Sequence, residues 1–177
     1  MLVRSVGLFW QEKDVFWGAG SKAGSLLGVP LKNTTAKPTD FREQIGIYAL
    51  YADYDLVYVG QAGAGEGTLF SRLKNHRKND LAGRWNRFSW FGVLRVLQSN
   101  KLSSRTEALH PELASVLNHI EAILIHAVEP PMNSQGGRFG ENVTRYKQIR
   151  DPRLPPDTDE MLLQLCKQQG IEFKGRE

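Results

Sequence analysis

Gly46-Ile47-Tyr48-Ala49-Leu50-Tyr51-Ala52-Asp53-Tyr54-Asp55-Leu56-Val57-Tyr58-Val59-Gly60 decides how the fold of this chain is read. In Ile45-Gly46-Ile47-Tyr48 the isoleucines take one face, and Gly46 and Tyr48 take the other. In Leu56-Val57-Tyr58-Val59-Gly60 the valines take one face, and Leu56, Tyr58 and Gly60 the other. A period of two marks strands, and Ala52-Asp53-Tyr54 between them reads as a tight turn. A three-residue turn pairs 51 with 55, 48 with 58 and 46 with 60. Tyr48 and Tyr58 are then expected directly opposite on one face, with Cβ atoms roughly 4.5–5.5 Å apart. A slip of one residue would send one of them to the other face.

Beyond this hairpin, residues 61–67 are a glycine-rich loop, and Thr68 is a good N-cap for a helix running to about Asn79. Leu69 and Leu73 form its apolar stripe, while Arg72 and His76, four residues apart, share another face. A strand over about Phe88 to Leu97 is apolar on both faces, which suits a central position. His110-Pro111 opens a long helix to about Val128, with proline in its first turn. Its buried stripe is Leu113, Val116, Leu117, Ile120, Leu124 and Ala127, and Pro130-Pro131 stops it. A last amphipathic helix spans about Thr158 to Gln169 and ends at Gly170.

The expected fold is therefore α+β: a small three-stranded mixed or antiparallel sheet flanked by helices, with extensions at both ends. Residues 41–140 form the core, and 141–177 a C-terminal extension with one amphipathic helix. Residues 1–40, rich in Gly, Ser and Lys, read as an N-terminal arm with little regular structure. Its Trp10, Phe16 and Trp17 fit two roles. They could dock on the core and complete it, or form a flexible clamp that stacks on nucleic-acid bases.

At 177 residues, with 41% hydrophobic and 24% charged residues, the chain suits one domain with a real core. No apolar run approaches the roughly 20 residues of a membrane-spanning helix, and no signal peptide is expected. The single cysteine, Cys166, excludes a disulfide framework and a cysteine-based zinc site, and points to a cytoplasmic setting. The net charge is +4. Between Ser71 and Val96 stand seven basic residues and one acid, Asp80, whereas the tail from Glu141 to Glu177 is neutral. Lys74, Arg77, Lys78, Arg84 and Arg87, interleaved with Trp85, Phe88, Trp90 and Phe91, suit a phosphate backbone or a solvated surface.

Glu121 is the most unusual residue in its helix. Leu117, Leu124, Ile125 and Val128 surround it, and a carboxylate at that border needs either an arginine or a metal ion. Asn133, after the proline pair, is by itself a turn residue. Gly60, Gly63, Gly65 and Gly67 lie between a strand and a helix but lack G-x-G-x-x-G spacing and a Walker lysine. No nucleotide cofactor is expected.

Taken together, these residues resemble the GIY-YIG nucleases. Gly46-Ile47-Tyr48 and Tyr58-Val59-Gly60 match the paired tripeptides of that family, with motif glycines Gly46 and Gly60. Arg72 falls on the following helix, and His76 matches a histidine that some restriction-enzyme members carry one turn later. Glu121 matches the family's metal-binding glutamate, and Asn133 an asparagine after a proline pair. The resemblance covers about residues 44–140. Val59 replaces the usual isoleucine, and the nine residues between the tripeptides are slightly few for the family.

The resemblance implies an endonuclease that hydrolyses phosphodiester bonds in nucleic acid, DNA before RNA, with one Mg²⁺ or Mn²⁺ ion on Glu121. It implies that Tyr48 takes a proton from the attacking water and Tyr58 orients that water or a phosphate oxygen. A free tyrosine has a pKa of about 10, so Tyr48 needs a nearby cation or proton acceptor, for which Arg72 and His76 are candidates. Arg72 would also stabilise charge on the phosphoryl group, and Asn133 would brace the site. The alternative is a non-catalytic nucleic-acid-binding module on the same fold.

Overall fold

A computed structural model describes residues 3–63, 67–104, 119–120, 123 and 143–168. The strands are β1 (Ser5–Gln11), β2 (Leu27–Pro30), β3 (Thr39–Asp40), β4 (Gly46–Ala52), β5 (Asp55–Ala62), β6 (Arg87–Gly92) and β7 (Thr144–Gln148). Helix α1 spans Leu69–His76 and α2 spans Thr158–Gln168. The described strands form one seven-stranded mixed sheet in the order β3-β2-β7-β1-β6-β4-β5. Only β1 and β7 pair in parallel; the other neighbours are antiparallel.

The expected three-stranded sheet flanked by helices is thus incorrect. The supposed N-terminal arm supplies β1, β2 and β3, and the C-terminal extension supplies β7. The reason lies in a bulge. Gly7 pairs with Trp90 and Trp10 with Phe88, so Leu8 and Phe9 together face Ser89. Phe9 has φ +50°, and its N–H donates to Ser89 Oγ at 3.0 Å. The extra residue inverts the alternation. Phe9 then packs with Ala49 and Tyr51 on one face, while Trp10 enters the main core on the other. A strand interrupted in this way shows no clean period of two.

The two faces are legible in the packing. Tyr48, Leu50, Phe88, Trp90 and Trp10 share one face with Phe41, Tyr146 and the α1 residues Leu69 and Leu73. Val6 and Phe91 share the other with Val3 and Ile123. As expected of a strand apolar on both faces, β6 is interior, between β1 and β4, although it ends at Gly92 rather than near Leu97. Of the long helix expected over residues 110–128, positions 119, 120 and 123 are described, and all three are helical.

The C-terminal segment is locked to the N-terminal one. Buried Asp151 accepts from Ser25 Oγ and from Arg153, whose Nε and Nη2 lie 2.9 and 2.8 Å from its two oxygens. Arg153 also donates to the Ala23 carbonyl at 3.0 Å, and its guanidinium lies 3.9 Å from the Phe16 ring centroid. These bonds hold the Asp151 carboxyl pKa down at about 2 against the cost of burial. Among the described residues no helix is long and apolar enough to cross a membrane.

Candidate active site

The hairpin β4–β5 carries the first two candidates, with a register different from the one expected. Tyr48 pairs with Gly60, and Tyr58 with Leu50. The tyrosines are therefore diagonal neighbours rather than directly opposite, with ring centroids 6.2 Å apart. The turn has two residues, Asp53 and Tyr54, not three. A two-residue turn alone would put the tyrosines on opposite faces. Val57, which has no partner where the register shifts between Leu50 and Tyr51, restores the parity.

Both motif glycines are sterically required. Gly46 has φ +143° and lies so close to the Phe91 carbonyl that a Cβ there would overlap it. A Cβ on Gly60 would overlap the Tyr48 hydroxyl and ring. With Gly60 bare, Tyr48 lies across β5 and reaches α1 while only 1% exposed. Tyr58, on the edge strand, is 38% exposed.

Helix α1 supplies the other two. Thr68 caps it as expected: its side chain accepts from Ser71 N, and the Ser71 hydroxyl accepts from Thr68 N. Buried Leu69 and Leu73 anchor the helix and turn the Arg72–His76 face towards β4 and β5. His76 Nε2 lies 2.7 Å from Tyr48 Oη, and the Tyr58 ring centroid is 4.9 Å from that of His76. Arg72 Nε is buried and has no hydrogen-bond partner among the described residues.

Electrostatics follow from this packing. Burial first, then neighbouring Tyr58, pushes the Tyr48 phenol up to about 12, while the Arg72 charge pulls the other way. Burial pushes the His76 imidazole below its usual 6.5; the Asn79 side chain pulls the other way, and the Arg72 charge adds to the lowering. At neutral pH the corner thus holds a neutral phenol, a neutral imidazole and a guanidinium whose buried Nε has no hydrogen-bond partner among the described residues. That combination suits an anion with oxygen acceptors, and Arg presents a planar fork to phosphate.

It does not by itself suit a hard cation, which takes carboxylate or carbonyl oxygens. No group of three or more His, Cys, Asp or Glu that could hold an ion occurs among the described residues. The expected ligand Glu121, and Asn133, lie outside the described residues.

The basic candidates divide. Lys78 and Arg84 are exposed. Arg77 is tied down, its Nε 2.5 Å from Glu12 and its guanidinium 4.7 Å from the Trp17 ring centroid. Arg87 sits 4.8 Å from the Tyr54 ring centroid, and Lys74 5.9 Å from that of Phe70. Two residues that matter here carried little sequence signal. Asn79 contacts His76 Nδ1 at 3.1 Å, and buried Trp85 donates from Nε1 to the His76 carbonyl at 3.3 Å. The only cue for Asn79 is its place three residues after His76.

No family model, curated protein or solved structure matches the chain.

Proposed function

We propose that this chain is a metal-dependent endonuclease of the GIY-YIG type, acting in the cytoplasm on nucleic acid, DNA before RNA. The observation that carries the reading is the meeting of Tyr48, Tyr58, Arg72 and His76, from three elements, around a guanidinium whose buried Nε has no hydrogen-bond partner among the described residues. A buried donor left unsatisfied costs about 1–3 kcal/mol. A phosphoryl oxygen would supply its missing acceptor.

In this reading Arg72 holds the scissile phosphate and stabilises the charge that grows on it. Once substrate is bound and the Tyr48 phenol has released its own proton to solvent, the Tyr48 oxygen orients the water that attacks phosphorus and takes the proton it loses, while the P–O bond to the leaving sugar oxygen breaks. With its pKa near 12, almost none of Tyr48 is phenolate in the free protein, so it needs added positive charge beside it when substrate is bound to release its proton. Tyr58, half-exposed at the sheet edge, is the outward group that meets substrate. A divalent ion on Glu121 belongs to the same proposal and would supply Lewis acidity to the phosphate and leaving oxygen. Exposed Lys78 and Arg84 extend the anion surface beyond the corner.

The test is incubation of the purified chain with plasmid, single-stranded DNA and RNA, with Mg²⁺ or Mn²⁺ against EDTA. Metal-dependent strand breaks that vanish in Glu121→Ala support the enzyme. A folded protein that binds these substrates and cuts none of them is the non-catalytic binding module instead.

A further inference from the structure

We propose that Asn79 is a positioning residue that fixes the tautomer of His76, so that the imidazole donates its Nε2 hydrogen to the Tyr48 oxygen and the phenolic proton is left facing the substrate side. The catalytic consequence rests on the nuclease reading above; the tautomer does not.

The backbone N–H of Leu81 donates to Asn79 Oδ1 at 3.1 Å. That bond orients the amide: its oxygen is engaged, and its Nδ2 is the atom 3.1 Å from His76 Nδ1. An amide nitrogen can only donate, so Nδ1 must offer a lone pair. A neutral imidazole has one ring proton, which then sits on Nε2. From there it points at Tyr48 Oη, 2.7 Å away.

An amide oxygen beside an imidazole favours the imidazolium. Counted simply as a hydrogen bond the Asn79 side chain would raise the His76 pKa, but with its oxygen turned to Leu81 and its Nδ2 facing Nδ1 the contact opposes protonation of Nδ1. Among the described residues, the groups facing His76 from the other elements are Tyr48 on β4 and Tyr58 on β5, with Arg72 one turn earlier on its own helix. The charged one is cationic, which also disfavours the imidazolium. His76 is then no sink for the Tyr48 proton. It is a donor that steadies negative charge on the Tyr48 oxygen, and it leaves the phenol's own proton free to meet a phosphate oxygen or water. A wrong-tautomer histidine can hold its place and still be catalytically incompetent.

The first measurement is long-range ¹⁵N–¹H correlation of the imidazole in the whole chain, above pH 6.5 and without substrate. The His76 signal is assigned by its loss in His76→Gln. Expected is a protonated Nε2 and a lone-pair Nδ1. The second uses Asn79→Asp, which places a carboxylate oxygen opposite Nδ1. Asn79 is exposed, so the core is untouched. The proton should move to Nδ1 or doubly protonate the ring, and kcat should fall on the order of 100-fold with KM little changed. Asn79→Leu should let the two tautomers mix.

A wild-type signal with the proton on Nδ1 overturns the proposal, even if Asn79→Asp fails to fold. So does a tautomer unchanged in both variants. If the wild-type tautomer is as stated and the protein cuts nothing, the nuclease reading fails and the tautomer assignment stands. If it cuts with Nδ1 protonated, the reverse holds.

Discussion

Arg153 and Arg72 make an instructive pair. Arg153 has its donors met by Asp151, Ser25 and the Ala23 carbonyl, and it stacks on Phe16. Arg72 sits beside two phenols and a neutral imidazole, with its buried Nε unmet. The first arginine does a structural job, tying the chain's C-terminal segment to its N-terminal one. The second keeps hydrogen-bonding capacity that folding does not use. An unused, partly desolvated cation among neutral polar groups marks where a ligand would contribute most.

The largest expected effect falls on the structural side. A chain starting at Pro38 lacks β1 and β2, and with them Trp10, whose loss alone costs about 3–5 kcal/mol when such a ring is fully buried. Domains have about 5–15 kcal/mol in total, so this truncation should show no cooperative melting transition. A sharp thermal transition in the truncated protein would mean that the N-terminal strands are dispensable after all.

Swapping the two arginines' fates sharpens the contrast. Arg153→Gln should destabilise by about 1–3 kcal/mol, because it leaves buried Asp151 short of partners. Arg72→Met should be neutral or slightly stabilising in denaturant titrations, yet lose phosphate and DNA binding. Equal destabilisation by both would show that Arg72 is structural too. The acid side adds a signature. The depressed Asp151 pKa contributes stability that is complete above its ordinary value of 3.8 and is lost as pH falls through about 2. The contribution is roughly 2 kcal/mol, and Asp151→Asn should flatten that part of the acid-unfolding curve.

The smallest effect concerns the basic surface. Lys78→Ala and Arg84→Ala should each lower the slope of log K against log salt by about 0.9 if each meets one phosphate of duplex DNA. Arg77→Ala should change it less, since Glu12 already neutralises that guanidinium. A larger change from Arg77 than from Lys78 would place the strand of nucleic acid on the other side of α1.

Much of the candidate site was legible because it is local. Alternation in the hairpin put Tyr48 and Tyr58 on one face, although the pairing itself was two residues off. The error in turn length and the bulge at Val57 compensate in parity, which is the quantity that decides faces. Thr68 announced α1, and helical spacing put Arg72 and His76 together. The fold was less legible because its extra strands are masked by bulging, brevity or polarity. Phe9 breaks the alternation of β1, β2 and β3 have four and two residues, and β7 is Thr-Arg-Tyr-Lys-Gln with one buried side chain. Such strands join through backbone bonds and leave little pattern. Asn79 was missed for a different reason: its role depends on which way an amide faces, and only the Leu81 contact determines that.

Single-turnover cleavage of plasmid DNA by Tyr48→Phe tests the central claim most directly. The substitution removes one buried hydroxyl and keeps the ring that fills the core, at a stability cost of about 1 kcal/mol. Tyr54→Phe, at a position 64% exposed in the turn, is the control. The account predicts wild-type cleavage with Mg²⁺ or Mn²⁺ and none with EDTA. It predicts an unchanged rate for Tyr54→Phe, and a loss of about 100-fold or more for folded Tyr48→Phe. A Tyr48→Phe protein that cuts at the wild-type rate, or a folded wild-type protein that cuts nothing with either ion, would contradict it.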